Sequence, residues 1–534
     1  MGTYINPGNV SFRKIDDPDY VDKTMLIELT NQRIGRAKCL ICVSRPRRFG
    51  KSYAAKMLSA YYDCSCDSHT LFDNKKIAAC ADYTTHLNKY NVINLDITSF
   101  ISEAKSRRTP LIKIPAKIMD AIHKELISLD PDMPHCETLN EELKYFVEKS
   151  NGTPWVFIID EWDAMIREAK NDADAQEAYL NLLRGWFKNN SFTDKCIAVA
   201  YMTGILPIKK DGSQSAISEF DEFSVIKPLE FAGYVGFTEE EVQDICRQKN
   251  VDFEKMKLWY DGYSFSGVGS VYNPNSVMKA AKNGDFDSYW TETSAAEGLM
   301  EFISKDYNGL TKTIAELIAG IEVKVNTTRF ANDLTTFKGK DDVLTLLVHL
   351  GYLAYDSEKR TVRIPNEEIR QEFQSAIHEV KHTETLKRLK ESEQLFADTL
   401  EGNEEAVAAQ IEKIHREETS PLHYNKEDSL RSVIKLAYYT YRDNYVQWEE
   451  MPAGDGFVDV AFLPKYDSDY PILVIELKWN KDVETAIQQI KNRHYPDSFK
   501  GYGRDIILVG ITYDKDEKPG ERTHICKIEK IEMN

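Results

Sequence analysis

Cys39-Leu-Ile-Cys-Val-Ser44-Arg45-Pro46-Arg47-Arg48-Phe49-Gly50-Lys51-Ser52 decides how the N-terminal half folds. Residues 39–44 are an apolar run, and from Tyr53 the apolar residues recur at helical spacing: Ala54, Ala55, Met57, Leu58, Tyr61. The order is strand, loop, helix, with Gly50-Lys51-Ser52 at the helix N-terminus. That terminus offers unpaired N–H groups and the positive end of the helix dipole to a phosphate. Lys51 would reach the β- and γ-phosphates of ATP and the Ser52 hydroxyl would bind Mg²⁺. The G-x-x-x-x-G-K-S rule asks for glycine at position 45, where this chain has Arg45. Gly-Lys-Ser is common in loops, so the reading needs a partner motif.

The partner is Trp155-Val-Phe-Ile-Ile-Asp160-Glu161. It reads as a buried parallel strand with two acids at its C-terminal tip, where open α/β sheets bind ligands. Asp160 would hold Mg²⁺, and Glu161 would orient or deprotonate the attacking water. The competing reading is a strand end with solvated acids. Asn91–Thr98 is a further strand, and Cys196–Thr203 another that ends in a polar residue. In ATPases with an additional strand, a polar side chain at that tip senses the γ-phosphate, and Thr203 is the candidate. Helical stretches fall at 115–127, 139–149 and 175–188. Strands alternating with helices predict an α/β, doubly wound parallel sheet.

Near the C-terminus the chain reads Gly454-Asp-Gly-Phe-Val-Asp459-Val460, then Pro471-Ile-Leu-Val-Ile-Glu476-Leu-Lys478. Two apolar strands flank a polar turn centred on residue 467, and Asp459 and Glu476 lie almost symmetrically about it. In an antiparallel hairpin they are cross-strand neighbours, and Lys478 shares the face of Glu476. A packed sheet does not collect three charges on one face without a purpose. Two carboxylates so close repel unless a cation sits between them, and hard oxygen ligands suit Mg²⁺. The competing reading is a surface hairpin with a solvated salt bridge.

The hairpin resembles the core of the PD-(D/E)xK nuclease superfamily. That resemblance implies metal ligation by Asp459 and Glu476, and a catalytic Lys478 acting on the water or the phosphate. It extends to Gln489, on the helix after the second strand, and to Glu427, on the preceding helix. The N-terminal half resembles the bacterial AAA-ATPase-like family. It carries Tyr20-Val-Asp-Lys-Thr24, the R-P-R-R-F-G-K-S loop, Ile159-Asp-Glu-Trp-Asp163, Thr203-Gly-Ile205, Gly236–Val242, Trp259–Tyr263, Val271–Pro274 and Tyr289-Trp290. In that family arginine replaces the first glycine. The resemblance therefore implies a nucleotide-binding loop of Arg45, Pro46, Arg47, Arg48, Phe49, Gly50, Lys51 and Ser52, and a nuclease domain at the C-terminal end.

Composition agrees. The 534 residues, 42% hydrophobic, suffice for three or four domains with packed cores. No apolar run reaches the roughly 18–20 residues of a membrane span, and Met1–Pro7 lacks the pattern of a signal peptide. Nine scattered cysteines fit reduced thiols in a prokaryotic cytoplasm. Cys64-x-Cys66 with His69 lacks a second pair at zinc-ligand spacing. The net charge of −18 argues mildly against sequence-independent nucleic-acid binding. Residues 481–534, however, balance basic against acidic side chains.

The expected domains are a P-loop AAA-like ATPase (1–235), a helical or winged-helix-like lid (236–394) and a restriction-endonuclease-like α/β domain (395–534). The expected function is an ATPase coupled to a Mg²⁺-dependent nuclease acting on nucleic acid, DNA before RNA. Two alternatives stand beside it: a nucleotide-controlled signalling or defence switch with rare turnover, and a non-catalytic nucleic-acid-binding module. Arg47 or Arg48 could act in cis or as a finger toward a neighbouring subunit, which leaves a homo-oligomer open.

Overall fold

The computed structural model describes residues 2–208, 210–211, 214–215, 217–290, 310–330, 337, 339–379, 383–418, 433–434, 437–438, 445–453, 456–465, 470–479, 483–493, 499, 502, 504–513 and 524–532. The chain divides into two compact units, residues 1–295 with 324–372, and residues 296–323 with 373–534. No helix among the described residues is long and apolar enough to cross a membrane.

The first unit is built on β1 (Leu40–Ser44), α1 (Lys51–Tyr62), β2 (Asn91–Asp96), α2 (Ile114–Leu129), α3 (Leu139–Lys149), β3 (Trp155–Asp160), α4 (Ala164–Glu168), α5 (Ala173–Phe187), β4 (Ile197–Gly204) and β5 (Asp221–Phe223). The strands form one sheet in the order β2-β3-β4-β1-β5, and every pairing is parallel. β1, β3 and β4 are buried along their whole length, as a sheet covered on both faces requires. Trp155, Phe157 and Ile159 pack with Ile118, Ile122 and Leu126 of α2 and with Tyr179, Leu183 and Trp186 of α5. The three helices expected from periodicity are present, with ends shifted by no more than two residues.

The inserted strand fixes the functional geometry. β4 lies between β1 and β3, so the tip of β1 and the tip of β3 face each other across one strand. Beyond β5 come α6 (Glu239–Lys249) and α7 (Pro274–Asn283), with a small antiparallel sheet of β6 (Phe237–Thr238), β8 (Gly269–Tyr272) and β7 (Tyr263–Phe265). α6 begins on a capping box, with the Thr238 hydroxyl on the Glu241 N–H and the Glu241 carboxylate on the Thr238 N–H. Within the region expected to be a helical or winged-helix-like lid lie α8 (Lys340–Leu350) and the antiparallel hairpin β9 (Ala354–Asp356) to β10 (Thr361–Arg363).

The second unit contains the helical pair α9 (Thr383–Glu401) and α10 (Glu404–Glu418), broken at Gly402 and Asn403. Its sheet runs β11 (Tyr445–Ala453), β12 (Gly456–Pro464), β13 (Ile472–Trp479), β14 (Ile506–Tyr513), β15 (His524–Ile531), with α11 (Val483–Asn492) after β13. β13 and β14 are parallel and the other pairs antiparallel. Val460 and Phe462 share one core with Leu473 and Ile475, while Ala461 and Leu463 share another with Ile472, Val474, Ile487 and Ile490 of α11. The period-two alternation of the hairpin thus feeds two cores, one on each face.

Gly351 closes α8 in the left-handed region at φ 91, where a Cβ would lie 2.7 Å from Pro46 Cβ and 2.9 Å from the Trp290 ring. A side chain there strains the backbone and separates α8 from the residues after β1. Gly351→Ala is expected to destabilise the first unit by about 1–3 kcal/mol, read as a lowered thermal unfolding transition; an unchanged transition would disprove this close approach.

Candidate functional sites

α1 starts directly after Gly50, which takes φ 91 and provides no side-chain cap, and no atom outside its immediate chain neighbours lies within 4 Å of where its Cβ would be. The first N–H groups of α1 are therefore not capped by a side chain. In front of them lies a cavity of about 830 Å³, of a size that takes a cofactor-sized ligand. Arg47, Arg48, Phe49, Gly50, Lys51 and Ser52 line it together with Asp160 and Glu161 from the tip of β3. Its other wall comes from Tyr20, Lys23, Phe237, Met278 and Lys279.

Lys51 is buried, and its ammonium donates to the Pro46 carbonyl at 2.9 Å and sits 3.5 Å from Glu161 Oε1. Ser52 and Asp160 both line the cavity, and the Ser52 hydroxyl favours the charged form of Asp160. Burial is the main cause that raises Asp160 to about 6; Glu161 adds to the rise, while Ser52 and Lys51 oppose it. A carboxylate kept from full ionisation by burial, with a serine hydroxyl beside it, is a donor set that suits a hard divalent cation.

Two residues of the expected loop lie off the cavity, and a third lines it while bonded elsewhere. Arg45 is fully buried: its guanidinium donates to the carbonyls of Ser44 (2.8 Å), Phe223 (2.9 Å) and Phe231 (3.1 Å) and lies over the Phe265 ring. Pro46 packs against Gly351. Arg48, at φ 66, does line the cavity, yet it donates to the Tyr289 carbonyl at 2.7 Å. Thr203 sits at the tip of β4, fully buried and outside the cavity wall, and its hydroxyl has no hydrogen-bond partner among the described residues.

Sequence reading missed Arg167. It lies on α4, four residues after Asp163, and contacts Glu161 (2.5 Å) and Asp163 (2.9 Å) together. The Asp-x-x-x-Arg spacing across Asp163 and Arg167 was the available signal.

In the second unit the register pairs Val460 with Ile475 and Phe462 with Leu473, which brings Asp459 level with Glu476. The ladder ends there, and the Asp459 carboxylate accepts the Leu477 N–H at 2.8 Å. Glu476 is 1% exposed. Its Oε1 accepts from Lys478 Nζ at 2.7 Å and from the Gln489 amide on α11. Its Oε2 is buried with no hydrogen-bond partner among the described residues. Burial first, and then the Asp459 charge, push the Glu476 carboxyl up to about 7. An orphaned carboxylate oxygen beside a second carboxylate fits a divalent cation, which would satisfy the one and neutralise both. Glu427, Gly454 and Asp455 lie outside the described residues.

Residues 8–213 match the family model of the predicted AAA-ATPases, and residues 425–521 match that of the PD-(D/E)XK nuclease superfamily. The chain carries an AAA-ATPase-like domain and a PD-(D/E)XK nuclease superfamily domain. An uncharacterized protein in the vnfD 5′ region of Azotobacter chroococcum is 20% identical over 546 aligned residues, covering 96% of each chain. The Walker-type ATPase of Pyrococcus abyssi is 13% identical and covers 66% of this chain and 94% of its own, at a TM-score of 0.31. The ATPase-like domain contains the cavity between β1 and β3, and the nuclease-superfamily domain contains the carboxylate pair of β12 and β13.

The raised Glu476 carboxyl sets a pH dependence in EDTA. The folded state holds this proton to about 7 and the unfolded state to about 4.5. Between those values the folded state binds more protons, so its stability falls as pH rises through that window and stays lower above it. Glu476→Gln should remove this slope and be more thermostable than wild type above pH 7, by ~1–3 kcal/mol. Added Mg²⁺ should reverse the order by stabilising only the wild type. Parallel pH profiles for the two proteins in EDTA would contradict the raised carboxyl.

Proposed function

We propose that this chain hydrolyses ATP in its N-terminal domain and uses that cycle to control Mg²⁺-dependent cleavage of nucleic acid, DNA in the first instance, by its C-terminal domain. The observation that carries the reading is Glu476: a buried carboxylate with one oxygen held by Lys478 and Gln489 and the other unpartnered, level with Asp459. A hairpin kept for stability alone gains nothing from an orphaned buried oxygen.

In the nuclease-superfamily domain, Asp459 and Glu476 would hold Mg²⁺, which when bound supplies a Lewis acid for the phosphate and an acidified water. Lys478 places a cation 2.7 Å from Glu476, where it can meet the charge that develops on the phosphate. Gln489 fixes the Glu476 rotamer from α11. Asp459 ties β12 to β13 through the Leu477 N–H, so its second oxygen is available at a defined place.

In the ATPase-like domain, the uncapped start of α1 would receive the phosphates of ATP. Lys51 can exchange the Pro46 carbonyl for a phosphate oxygen. Ser52 and Asp160, which line the cavity together, would hold Mg²⁺. Glu161 projects into the same cavity and would take the proton of the attacking water. The adenine would lie toward Phe237 and Met278, the apolar part of the opposite wall.

The test is cleavage of single- and double-stranded DNA and RNA by purified protein, with Mg²⁺, with and without ATP. Asp459→Ala and Glu476→Ala should abolish cleavage and leave the protein folded. Lys478→Ala should retain metal binding and lose about 10²-fold or more in rate. Lys51→Ala should abolish ATP binding, and Glu161→Gln should bind ATP and keep only a residual turnover. Equal cleavage by wild type and Asp459→Ala would refute the nuclease assignment and favour a binding module. Wild-type ATP affinity in Lys51→Ala would refute the nucleotide site.

A further inference from the structure

Arg167 lines the nucleotide cavity, and the motifs leave it without a role. Resting on the ATPase reading above, we propose that Arg167 is a positioning residue that holds the Glu161 carboxylate toward the phosphate end of the cavity and off Lys51.

Glu161 needs such a hold. Its backbone sits at φ 51, in the left-handed region that a glutamate adopts only under constraint. That turn, directly after β3, takes the side chain out of the strand's alternation and into the cavity. Two cations then compete for it. Arg167 Nη2 is 2.5 Å from Glu161 Oε2, while Lys51 Nζ is 3.5 Å from Oε1. A close pair with Lys51 would occupy the base and the phosphate-binding ammonium at once. The arginine contact keeps the carboxylate at the longer distance from Lys51.

Arg167 is itself fixed. Its Nε donates to Asp163 Oδ2 at 2.9 Å, and the same oxygen accepts the Leu206 N–H at 2.9 Å from the chain just past β4. Asp163 is fully buried, and a Cβ built on Gly204 would lie 2.5 Å from its other oxygen, so the tip of β4 closes directly on it. The hold on Glu161 therefore starts from the rigid ends of β3 and β4 and passes through one planar guanidinium. A lysine has one ammonium point and cannot reach Asp163 and Glu161 in the same fork geometry.

The experiment uses the full chain, with ATP binding read by calorimetry and turnover by phosphate release. Arg167→Ala and Arg167→Lys are made alone and in the Glu161→Gln background; Arg167→Lys keeps a cation against buried Asp163 and guards against a variant that fails to fold. Arg167→Lys should leave the Kd for ATP within about threefold of wild type and lower kcat about tenfold or more. In Glu161→Gln, the same change should lower the residual turnover by less than about twofold, because the two residues act in series. A Kd weakened about tenfold in the Glu161→Gln background would mean that Arg167 touches the phosphates directly, and would overturn the proposal. An unchanged kcat with intact ATP binding would overturn it as well, leaving the ATPase reading in place. Failure of the wild type to bind ATP would refute the ATPase reading and this proposal together.

Discussion

The buried guanidinium of Arg45 is the constraint from which the first unit is organised. It lies at the end of β1, one residue beyond the sheet, where the chain must turn toward Gly50. No carboxylate pairs with it among the described residues; three backbone carbonyls and the face of Phe265 take its charge instead. Burial lowers its proton affinity to about 10, so it stays charged at neutral pH. The carbonyls belong to β1, to β5 and to the turn at Phe231, so one side chain fastens the loop to the sheet edge and to the segment after it. That position calls for a cation, and a glycine would leave the Phe223 and Phe231 carbonyls without this donor. The departure from G-x-x-x-x-G-K-S therefore has a physical cause.

The next residues continue the same work. Pro46 fills the space left by Gly351 at the end of α8, Arg48 holds the Tyr289 carbonyl, and Phe49 meets Tyr263 edge-on at 5.3 Å. A segment that reads as one anion-binding loop thus has two halves. Gly50, Lys51 and Ser52 face the cavity and Arg45 and Pro46 lie off it, while Arg48 and Phe49 line it and also contact Tyr289 and Tyr263.

What was legible in the sequence follows from period and symmetry. The β12–β13 hairpin was legible because apolar alternation and a short turn allow one register, and a one-residue slip would exchange the contents of the two cores. Four of the five parallel strands of the first unit were legible as strands, but β5, Asp221-Glu-Phe, and the lateral order were not. Nothing local in β4 says that it enters between β1 and β3, and its place there came only from resemblance to known ATPases. The roles of Arg45 and Arg167 were also hidden. Both depend on what the chain brings near from far away, Phe223 and Phe231 for one and the left-handed turn of Glu161 for the other. For Arg45 local pattern carries no signal, and for Arg167 it offers only the spacing from Asp163.

The two sites use similar residues toward opposite ends. Each has a buried carboxyl pushed up chiefly by desolvation, Asp160 to about 6 and Glu476 to about 7, and each has a lysine in reach. In the nuclease-superfamily domain Lys478 is spent on the carboxylate itself at 2.7 Å. A metal arriving there would meet a glutamate whose charged form burial disfavours and Lys478 only partly restores, and the lysine stays beside it as a fixed charge. In the ATPase-like domain Lys51 leans on a neutral carbonyl, and Arg167 takes the carboxylate contact. Leaving a carbonyl costs an ammonium far less than leaving an ion pair in a buried place. Lys51 thus rests on a neutral carbonyl with a longer 3.5 Å contact to Glu161, Lys478 is held by a 2.7 Å ion pair, and the arginine that sequence reading missed takes the shorter contact with Glu161.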